Sequence, residues 1–342
     1  MLLERLSNAC GISGREDEVR DLLRQELAPY VDEMWTDAIG NLIMRKGSGP
    51  VKVMLDAHTD EVGFCVGSIT DDGYLKLKKM GGLDDRVLPG RQVWVTQKRI
   101  PAVLGAKAWH LCSGEERGKV ISFDQMYADL GCRSRKEVEE LGIEPGEPVY
   151  FATTFEHFSD KVVKGKAFDD RAGCAVLAEI LMRFSYPGLT MYGAFVSQEE
   201  VGLRGARIAA YNLNPDVAIA LEGTGSANVA GVEPFDTITN MGEGPAISLM
   251  DNSGIPNLRV WEQLVRVAQE NGIKYQNRRI VGGGTDAGGI ALVRNGVPVC
   301  TVSTPCRYIH TNAALLHLDD LNGSVNLVHH FLQSVEKGDF RP

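Results

Sequence analysis

Residues 166–202 read KAFDDRAGCAVLAEILMRFSYPGLTMYGAFVSQEEVG and carry the clearest secondary-structure signal in the chain. From 170 to 184 the apolar residues recur at helical spacing, and from 190 to 197 they form a continuous apolar run typical of a buried strand. One pair of acids precedes the helix and a second pair follows the strand. A helix that leads into a buried strand favours an α/β layered sheet.

The same alternation of helix and strand extends in both directions from this stretch. The flanking elements predicted are strands at 41–44, 51–57, 216–221 and 298–303, and helices at 204–212, 258–271 and 318–335. Between 69 and 162 the residue pattern changes to short β-like stretches (92–96, 119–122 and 148–153) separated by Gly, Pro and charged turns. We therefore predict an α/β domain built from 1–68 and 163–342, with a small all-β domain inserted at 69–162.

Composition excludes several classes of protein. At 342 residues, with 44% hydrophobic and 24% charged residues, the chain is expected to form an ordinary globular protein of two domains. A net charge of -9 argues against a nucleic-acid partner. No apolar run is long enough to span a membrane, and Glu4 and Arg5 interrupt the first apolar run, so no signal peptide is predicted. The seven cysteines lack CxxC pairs, which favours reduced thiols and a cytoplasmic location.

Acids and histidines stand where the predicted strands end or a helix begins. They are His58 and Asp60, Asp169 and Asp170, Glu199 and Glu200, Glu222, and His310. In open α/β sheets ligands bind beyond the carboxyl ends of the strands. We therefore expect these side chains to converge on one edge of the sheet.

The residue types indicate a metal centre. Two imidazoles and at least three carboxylates suit zinc, cobalt or manganese. Carboxylates crowded together without cations would be driven to protonate, whereas two divalent ions bridged by one carboxylate relieve the repulsion. Asp60 follows His58 at a spacing that lets it orient the imidazole ring. Glu199 and Glu200 point apart in an extended segment, so one can bind metal while the other acts as a general base.

Each of these residues has an ordinary explanation when taken alone. A lone histidine is most often partly buried, paired acids are most often solvated, and acids before a helix often cap it. Only the combination favours a metal site. The stretch GGGTDA at 282–287 matches a dinucleotide-binding pattern formally, but no acid lies about 20 residues later to bind a ribose. We instead predict a glycine-rich turn where a substrate approaches the backbone.

The motifs AHTDEVG, AFDDRAG, QEEVGLRGA, ALEGT, GGGTDA and RYIHT together resemble the TET or FrvX-like aminopeptidases of metallopeptidase family 42. That family also includes glutamyl and deblocking aminopeptidases, and proteins labelled cellulase M or endoglucanase. The resemblance spans essentially the whole chain. It implies a metallopeptidase domain with a mixed central sheet, a barrel-like inserted domain that governs oligomerisation and access, peptide substrates, and a homo-oligomer that is often a dodecamer.

The resemblance also implies roles for individual residues. One metal ion would be held by His58, Asp169 and Glu222, and the other by Asp169, Glu200 and His310. Asp60 would support His58, the Asp169–Asp170 peptide would be cis, and Glu199 would be the general base acting on a metal-bridging water. Many members have Asp where this chain has Glu222, which leaves the metal preference open. The substrate-binding residues predicted on the glycine-rich turn are Gly283, Thr285 and Asp286.

The implied cofactors are two divalent ions per subunit, zinc or cobalt, with manganese also compatible. Three other functions stay open at this point. A metal-binding scaffold without catalysis is disfavoured because Glu199 retains the base. A glycoside hydrolase would use paired carboxylates but would leave His58 and His310 without a role. A related two-metal deacylase or carboxypeptidase would share the core motifs. The preferred N-terminal residue is not encoded in these motifs.

Overall fold

The structure is a computed structural model that describes residues 1–279 and 282–339. Its helices are α1 (Leu2–Asn8), α2 (Asp17–Leu27), α3 (Gly114–Arg117), α4 (Arg135–Glu140), α5 (Phe168–Arg183), α6 (Arg204–Leu213), α7 (Leu258–Glu270), α8 (Asp286–Ala291) and α9 (Leu318–Glu336). Its strands are β1 (Glu33–Thr36), β2 (Leu42–Lys46), β3 (Val51–His58), β4 (Gly63–Ile69), β5 (Leu75–Met80), β6 (Gln92–Val95), β7 (Ile100–Gly105), β8 (Tyr127–Asp129), β9 (Pro148–Phe151), β10 (Glu156–His157), β11 (Val162–Gly165), β12 (Leu189–Val196), β13 (Val217–Gly225), β14 (Ala246–Ser248), β15 (Gln276–Arg278), β16 (Val299–Arg307) and β17 (Ala314–His317).

A large mixed sheet forms the centre of the molecule. Its strands run in the order β1-β2-β12-β3-β13-β16-β17-β11-β10, and β14 joins β16 and β15 off this path. The central strands β12, β3, β13 and β16 are mutually parallel, the other pairs along this order are antiparallel, and β15 pairs parallel with β14. Because parallel strands at the centre are covered on both faces, their residues are mostly apolar, and β12 has the continuous apolar run predicted for residues 190–197.

Helices cover both faces of this sheet, so the domain has three layers. Alternate residues of β3 face opposite sides: Val53 and Leu55 join the cluster that includes α5, α7 and α9, whereas Met54 joins the cluster with α6 and α8. Helix α5 is buried along nearly its whole length. It is apolar on all sides because it lies between the sheet and the outer helices. The predicted layered α/β fold with a mixed central sheet is confirmed.

The inserted β domain is a closed antiparallel barrel with the strand order β4-β5-β8-β7-β6-β9. Its strands extend from Gly63 to Phe151, so β4 enters the barrel before residue 69, the predicted limit. Strands β10 and β11 pair with the large sheet instead. Barrel closure explains the difference, because β4 must pair with β9 to remove the open edge. The domain limits at 69 and 162 otherwise remain a prediction.

Two further details differ from the sequence-based expectation. Residues 119–122 were expected to be β-like, but they are irregular and follow α3. Strand β13 continues to Gly225, so Glu222 lies within the strand and not beyond it. Among the helices of the described ranges, none has the length and apolar character needed to cross a membrane.

Candidate metal centre

The central parallel strands bring the predicted site residues to one edge of the sheet. His58 ends β3 and is paired in register with Val196, the last residue of β12. Glu199 and Glu200 follow β12 directly, and His310 follows β16 after a short turn. The carboxyl ends of neighbouring parallel strands therefore deliver acids and imidazoles to a common crevice.

One cluster forms around the imidazole of His58. Its Nε2 lies 3.2 Å from Oδ1 of Asp169 and 3.6 Å from Oε2 of Glu222. One ligand atom from each of these three residues lies within 4.8 Å of the others. Glu222 therefore reaches the cluster, although its side chain is longer than that of the aspartate expected at this position from the family resemblance.

A second cluster forms around His310. Its Nε2 lies 3.3 Å from Oδ2 of Asp169 and 3.5 Å from Oε1 of Glu200, and the three ligand atoms again lie within 4.8 Å of one another. Asp169 belongs to both clusters and presents Oδ1 to one imidazole and Oδ2 to the other. A single carboxylate thus joins the two groups.

The start of α5 sets the position of Asp169. The Asp169–Asp170 peptide bond is cis, as the resemblance implied. The carboxylate of Asp170 accepts hydrogen bonds from the backbone N–H of His58 at 3.1 Å and of Gly173 at 2.9 Å. Asp170 therefore ties the end of β3 to the helix, and Asp169 is left to face both imidazoles.

Asp60 contacts His58 and the loop of Glu199 and Glu200, and so supports the first cluster. Its carboxylate lies 3.4 Å from Nδ1 of His58 and accepts a 2.6 Å hydrogen bond from the hydroxyl of Ser13. It also accepts the backbone N–H groups of Glu199 at 3.0 Å and of Glu200 at 3.2 Å. Nδ1 of His58 is also 3.1 Å from the backbone carbonyl oxygen of Asp60. Asp60 thus holds the ring of His58 through its main chain and its carboxylate, and the same buried carboxylate holds the loop that carries the two glutamates.

The site carries more negative charge than its own side chains can neutralise. Burial raises the pKa of Glu199 and of Glu200 to about 8 each, and it raises the pKa of Glu222 well above the ordinary range. Burial lowers the pKa of His310, but its hydrogen bond to Asp169 and the charge of Glu200 outweigh burial and raise the value to about 10. Such large pKa shifts in clustered acids and imidazoles are typical of functional sites.

A cavity of about 680 Å³ opens over the two clusters. Glu199 and the predicted substrate-binding residues Gly283 and Thr285 line its wall. Asp286 differs from that prediction, because its side chain is fully buried below the cavity and its backbone N–H donates to Oε1 of Glu222 at 3.1 Å. Asp286 therefore supports a candidate ligand, whereas the substrate roles of Gly283 and Thr285 remain predictions.

Comparison with known proteins agrees with this geometry. Residues 40–327 match the M42 glutamyl aminopeptidase family. The chain belongs to this family. It is 35% identical over 337 residues to Escherichia coli FrvX, covering 98% of this chain and 95% of that protein. The M42 chain is accordingly a hydrolytic exopeptidase, a metallo-aminopeptidase of the TET or FrvX-like type.

Solved structures of M42 relatives share the whole fold. The TET aminopeptidase of Thaumarchaeota archaeon SCGC AB-539-E09 superposes with a TM-score of 0.95 at 36% identity, covering 99% of this chain and 98% of that one. The TET1 peptidase of Pyrococcus horikoshii has a TM-score of 0.87 at 33% identity, covering 96% and 98%. Both the layered domain and the barrel are therefore common features of these M42 proteins.

Several residues of the M42 site carry no signal in the sequence. Ser13 carries no recognisable motif and reaches Asp60 only because the N-terminal segment folds over the sheet edge. Gly82 of the barrel accepts a hydrogen bond from His310. Arg278 lines the same cavity although the other charged residues there are mainly acids. These contacts join segments distant in sequence, so no local pattern could have shown them.

Proposed function

We propose that the protein is a two-metal aminopeptidase that removes residues from the N-termini of short peptides, with Glu199 as the general base. The observation that carries this proposal is the pair of clusters joined by Asp169. Glu199 lies beside them, with Oε2 at 3.9 Å from Nε2 of His58, and belongs to neither cluster. An acid that is left out of both ligand sets is available for proton transfer.

The residues present suit divalent cations. The nitrogen and oxygen ligands match zinc, cobalt or manganese. Oε1 of Glu200 is buried without a hydrogen-bond partner in the described part of the chain, although it belongs to the second cluster. A cation would satisfy this oxygen and offset the burial and the repulsion between neighbouring acids that together raise the carboxylate pKa values. When bound, such cations polarise a carbonyl group and make water more acidic.

The positions of this chain's own groups support a division of labour. Asp169 and the two imidazoles form the floor of the cavity, and the Gly282–Gly284 turn forms part of the wall over which a peptide would lie. Glu199 accepts a proton from the attacking water and returns it to the nitrogen of the departing peptide. Asp60 keeps Glu199 in place through the backbone N–H.

The assembly and location of the protein are also proposals. We propose a homo-oligomer, because the Pyrococcus horikoshii relative can assemble into a tetrahedron or a large octahedral shell. In such an assembly the barrel would control access of peptides to the cavity. The free thiols of all seven cysteines support a cytoplasmic location.

Chelation is the direct test of the proposed activity. The protein is dialysed against EDTA and assayed on a panel of aminoacyl p-nitroanilides, then assayed again after addition of zinc, cobalt or manganese. We expect EDTA to abolish cleavage and at least one of these ions to restore it. Unchanged cleavage in EDTA would contradict the proposal.

Two further substrates separate the alternatives. A peptide and its N-acetylated form are compared, because an aminopeptidase requires the free amine whereas a deacylase would process the blocked form. A soluble glucan tests the glycoside hydrolase, which needs neither imidazole nor metal. Cleavage of the acetylated peptide or of the glucan in preference to the free peptide would refute aminopeptidase action.

A further inference from the structure

The barrel reaches into the candidate metal centre at a single point. Strand β5 ends at Met80, and of the next two residues Gly81 lies against Glu200 while Gly82 lines the cavity beside the second cluster. No residue of this segment belongs to the large sheet. The second cluster is therefore built where the two domains meet.

Gly82 determines which nitrogen of His310 faces the cluster. The backbone carbonyl of Gly82 lies 2.8 Å from Nδ1 of His310. A carbonyl oxygen can only accept, so Nδ1 must carry the proton. Nε2 is therefore the nitrogen that points towards Asp169 and Glu200, and it can bind a cation once its own proton is released to solvent, which is the arrangement required of a metal-binding histidine.

Gly81 makes room for Glu200. Its φ of +80° is a conformation that residues with a side chain rarely adopt. A Cβ atom at this position would also lie 2.9 Å from Oε2 of Glu200 and 2.8 Å from Cγ1 of Val62. Val62 belongs to the barrel core. Any side chain at position 81 would therefore clash with Val62 in the barrel core and with Glu200, a candidate metal ligand.

The segment after Gly82 is held firmly to the barrel. The ammonium group of Lys79 donates to the carbonyl of Leu83 at 2.8 Å and pairs with the carboxylate of Asp85. Asp85 in turn accepts the backbone N–H of Phe123 at 2.9 Å, and Leu83 packs against the barrel core. A carbonyl on such an anchored segment can hold an imidazole in one orientation.

We infer that Gly81 and Gly82 are positioning residues through which the barrel completes the second cation site. This inference rests on the proposed metal-binding role of Glu200 and His310. It assigns the barrel a part in building the active site itself. Because linkage is reciprocal, filling the second site should also stabilise the Gly81–Gly82 segment of the barrel.

The main test compares two glycines that have the same backbone conformation. Gly90 lies in a barrel turn with φ of +80°, and a Cβ atom there would have no neighbour within 4 Å. Zinc binding to the wild type, Gly81→Ala and Gly90→Ala is measured by calorimetry, with metal content per chain determined independently. Gly81→Ala should lose about 10- to 100-fold in affinity at one of two sites, as is usual when support of a ligand is lost. Gly90→Ala should bind like the wild type.

The outcomes distinguish this inference from the proposed function. A wild type that binds neither zinc nor, in the same measurement, cobalt or manganese would refute the two-metal function and the inference with it. A wild type that binds two ions, with the same affinities in Gly81→Ala, would overturn the inference alone. Equal losses in both variants would also overturn it, because backbone strain would then be the cause.

Hydrogen exchange on the wild type tests the same inference without any substitution. Peptides that cover residues 79–85 are followed by mass spectrometry in EDTA and in zinc. We expect zinc to slow their exchange several-fold, and exchange at a barrel peptide around Gly90 to stay unchanged. Unchanged exchange at 79–85 while two zinc ions bind would overturn the inference, even if Gly81→Ala failed to fold.

Discussion

Two adjacent glutamates have different neighbours because one carboxylate holds the backbone between them. Asp60 accepts the N–H of Glu199 on Oδ1 and the N–H of Glu200 on Oδ2. The residue before them, Gln198, has φ of +61°, so the chain turns sharply into the pair. Glu199 then faces His58 and Glu200 faces His310. The different chemical roles proposed for these identical side chains therefore rest on position alone.

Replacement of Glu199 by glutamine tests this division. We expect kcat to fall about 100- to 10,000-fold, because an amide cannot accept the proton from water. Metal content should stay at the wild-type value, because Glu199 belongs to neither cluster. Steady-state kinetics on an aminoacyl p-nitroanilide and elemental analysis provide both measurements. Wild-type turnover in Glu199→Gln would remove the general base from the mechanism.

Asp60→Asn should lower metal affinity and leave activity at high metal concentration intact, the reverse of the result expected for Glu199→Gln. The amide has one acceptor oxygen, so it cannot accept all the donors that the carboxylate accepts from Ser13, Glu199 and Glu200. We expect metal affinity to fall about 10- to 100-fold, with activity recovering at high metal concentration. Titration of activity against free zinc measures this shift. A lower kcat that excess zinc does not restore would contradict a supporting role for Asp60.

At the scale of elements, the loop after β12 depends on close packing of α6. Gly205, in the first turn of α6, lies against the carbonyl of Ser197 and Oδ1 of Asn41, and a Cβ atom there would overlap both oxygens. The same Oδ1 accepts the backbone N–H of Ser197 at 2.9 Å. Helix α6 therefore packs directly against the segment that leads to the glutamates.

Gly205→Ala should destabilise the protein, although alanine favours helices. We expect a loss of about 1–3 kcal/mol, because a buried site cannot accept extra volume without moving the backbone. Gly114→Ala is the control, since Gly114 is also helical but a Cβ atom there has open space around it. This control should be neutral or stabilising by up to about 1 kcal/mol. Urea denaturation measures both variants, and equal stabilities would contradict the packing argument.

Elements that depend on local pattern were the ones that sequence could predict. The apolar runs of β12 and β3 and the helical spacing of α5 are properties of short segments, so they predicted these elements and the strand ends that carry His58 and Glu199. The entry of β4 into the barrel depends on pairing with β9, which lies about 80 residues further along the chain. The contact between Gly82 and His310 spans 228 residues. Such contacts follow from the complete fold, which no local pattern contains.

At the scale of the whole molecule, the metal centre joins the two domains and concentrates charge between them. The start of α5 supplies Asp169, the sheet edge supplies Glu200 and Glu222, the barrel supplies Gly82, and the N-terminal segment supplies Ser13. The buried carboxyl groups there take up protons at unusually high pH. The protonation state of one small site should therefore influence the stability of the whole chain.

Stability in EDTA should consequently fall as pH rises. Glu199 has a pKa of about 8 in the folded chain against an ordinary value of 4.5, so between these values the folded state keeps a proton that the unfolded state has lost. His310, raised from 6.5 to about 10, contributes stability that is complete below 6.5 and is lost as pH rises to 10. Both shifts act in the same direction, so the melting temperature in EDTA should decrease between about pH 5 and pH 9.

Zinc should raise the melting temperature and flatten this dependence, because a cation replaces the protons and binds only the folded chain. Thermal melts across pH 5 to 9, with EDTA or with zinc, measure the effect. Glu199→Gln is the matched control: it removes one raised carboxyl group, so its slope in EDTA should be smaller. A melting temperature in EDTA that is constant or increases over this range would mean that the clustered acids are not protonated in the folded protein, and the electrostatic case for a cation site would fail.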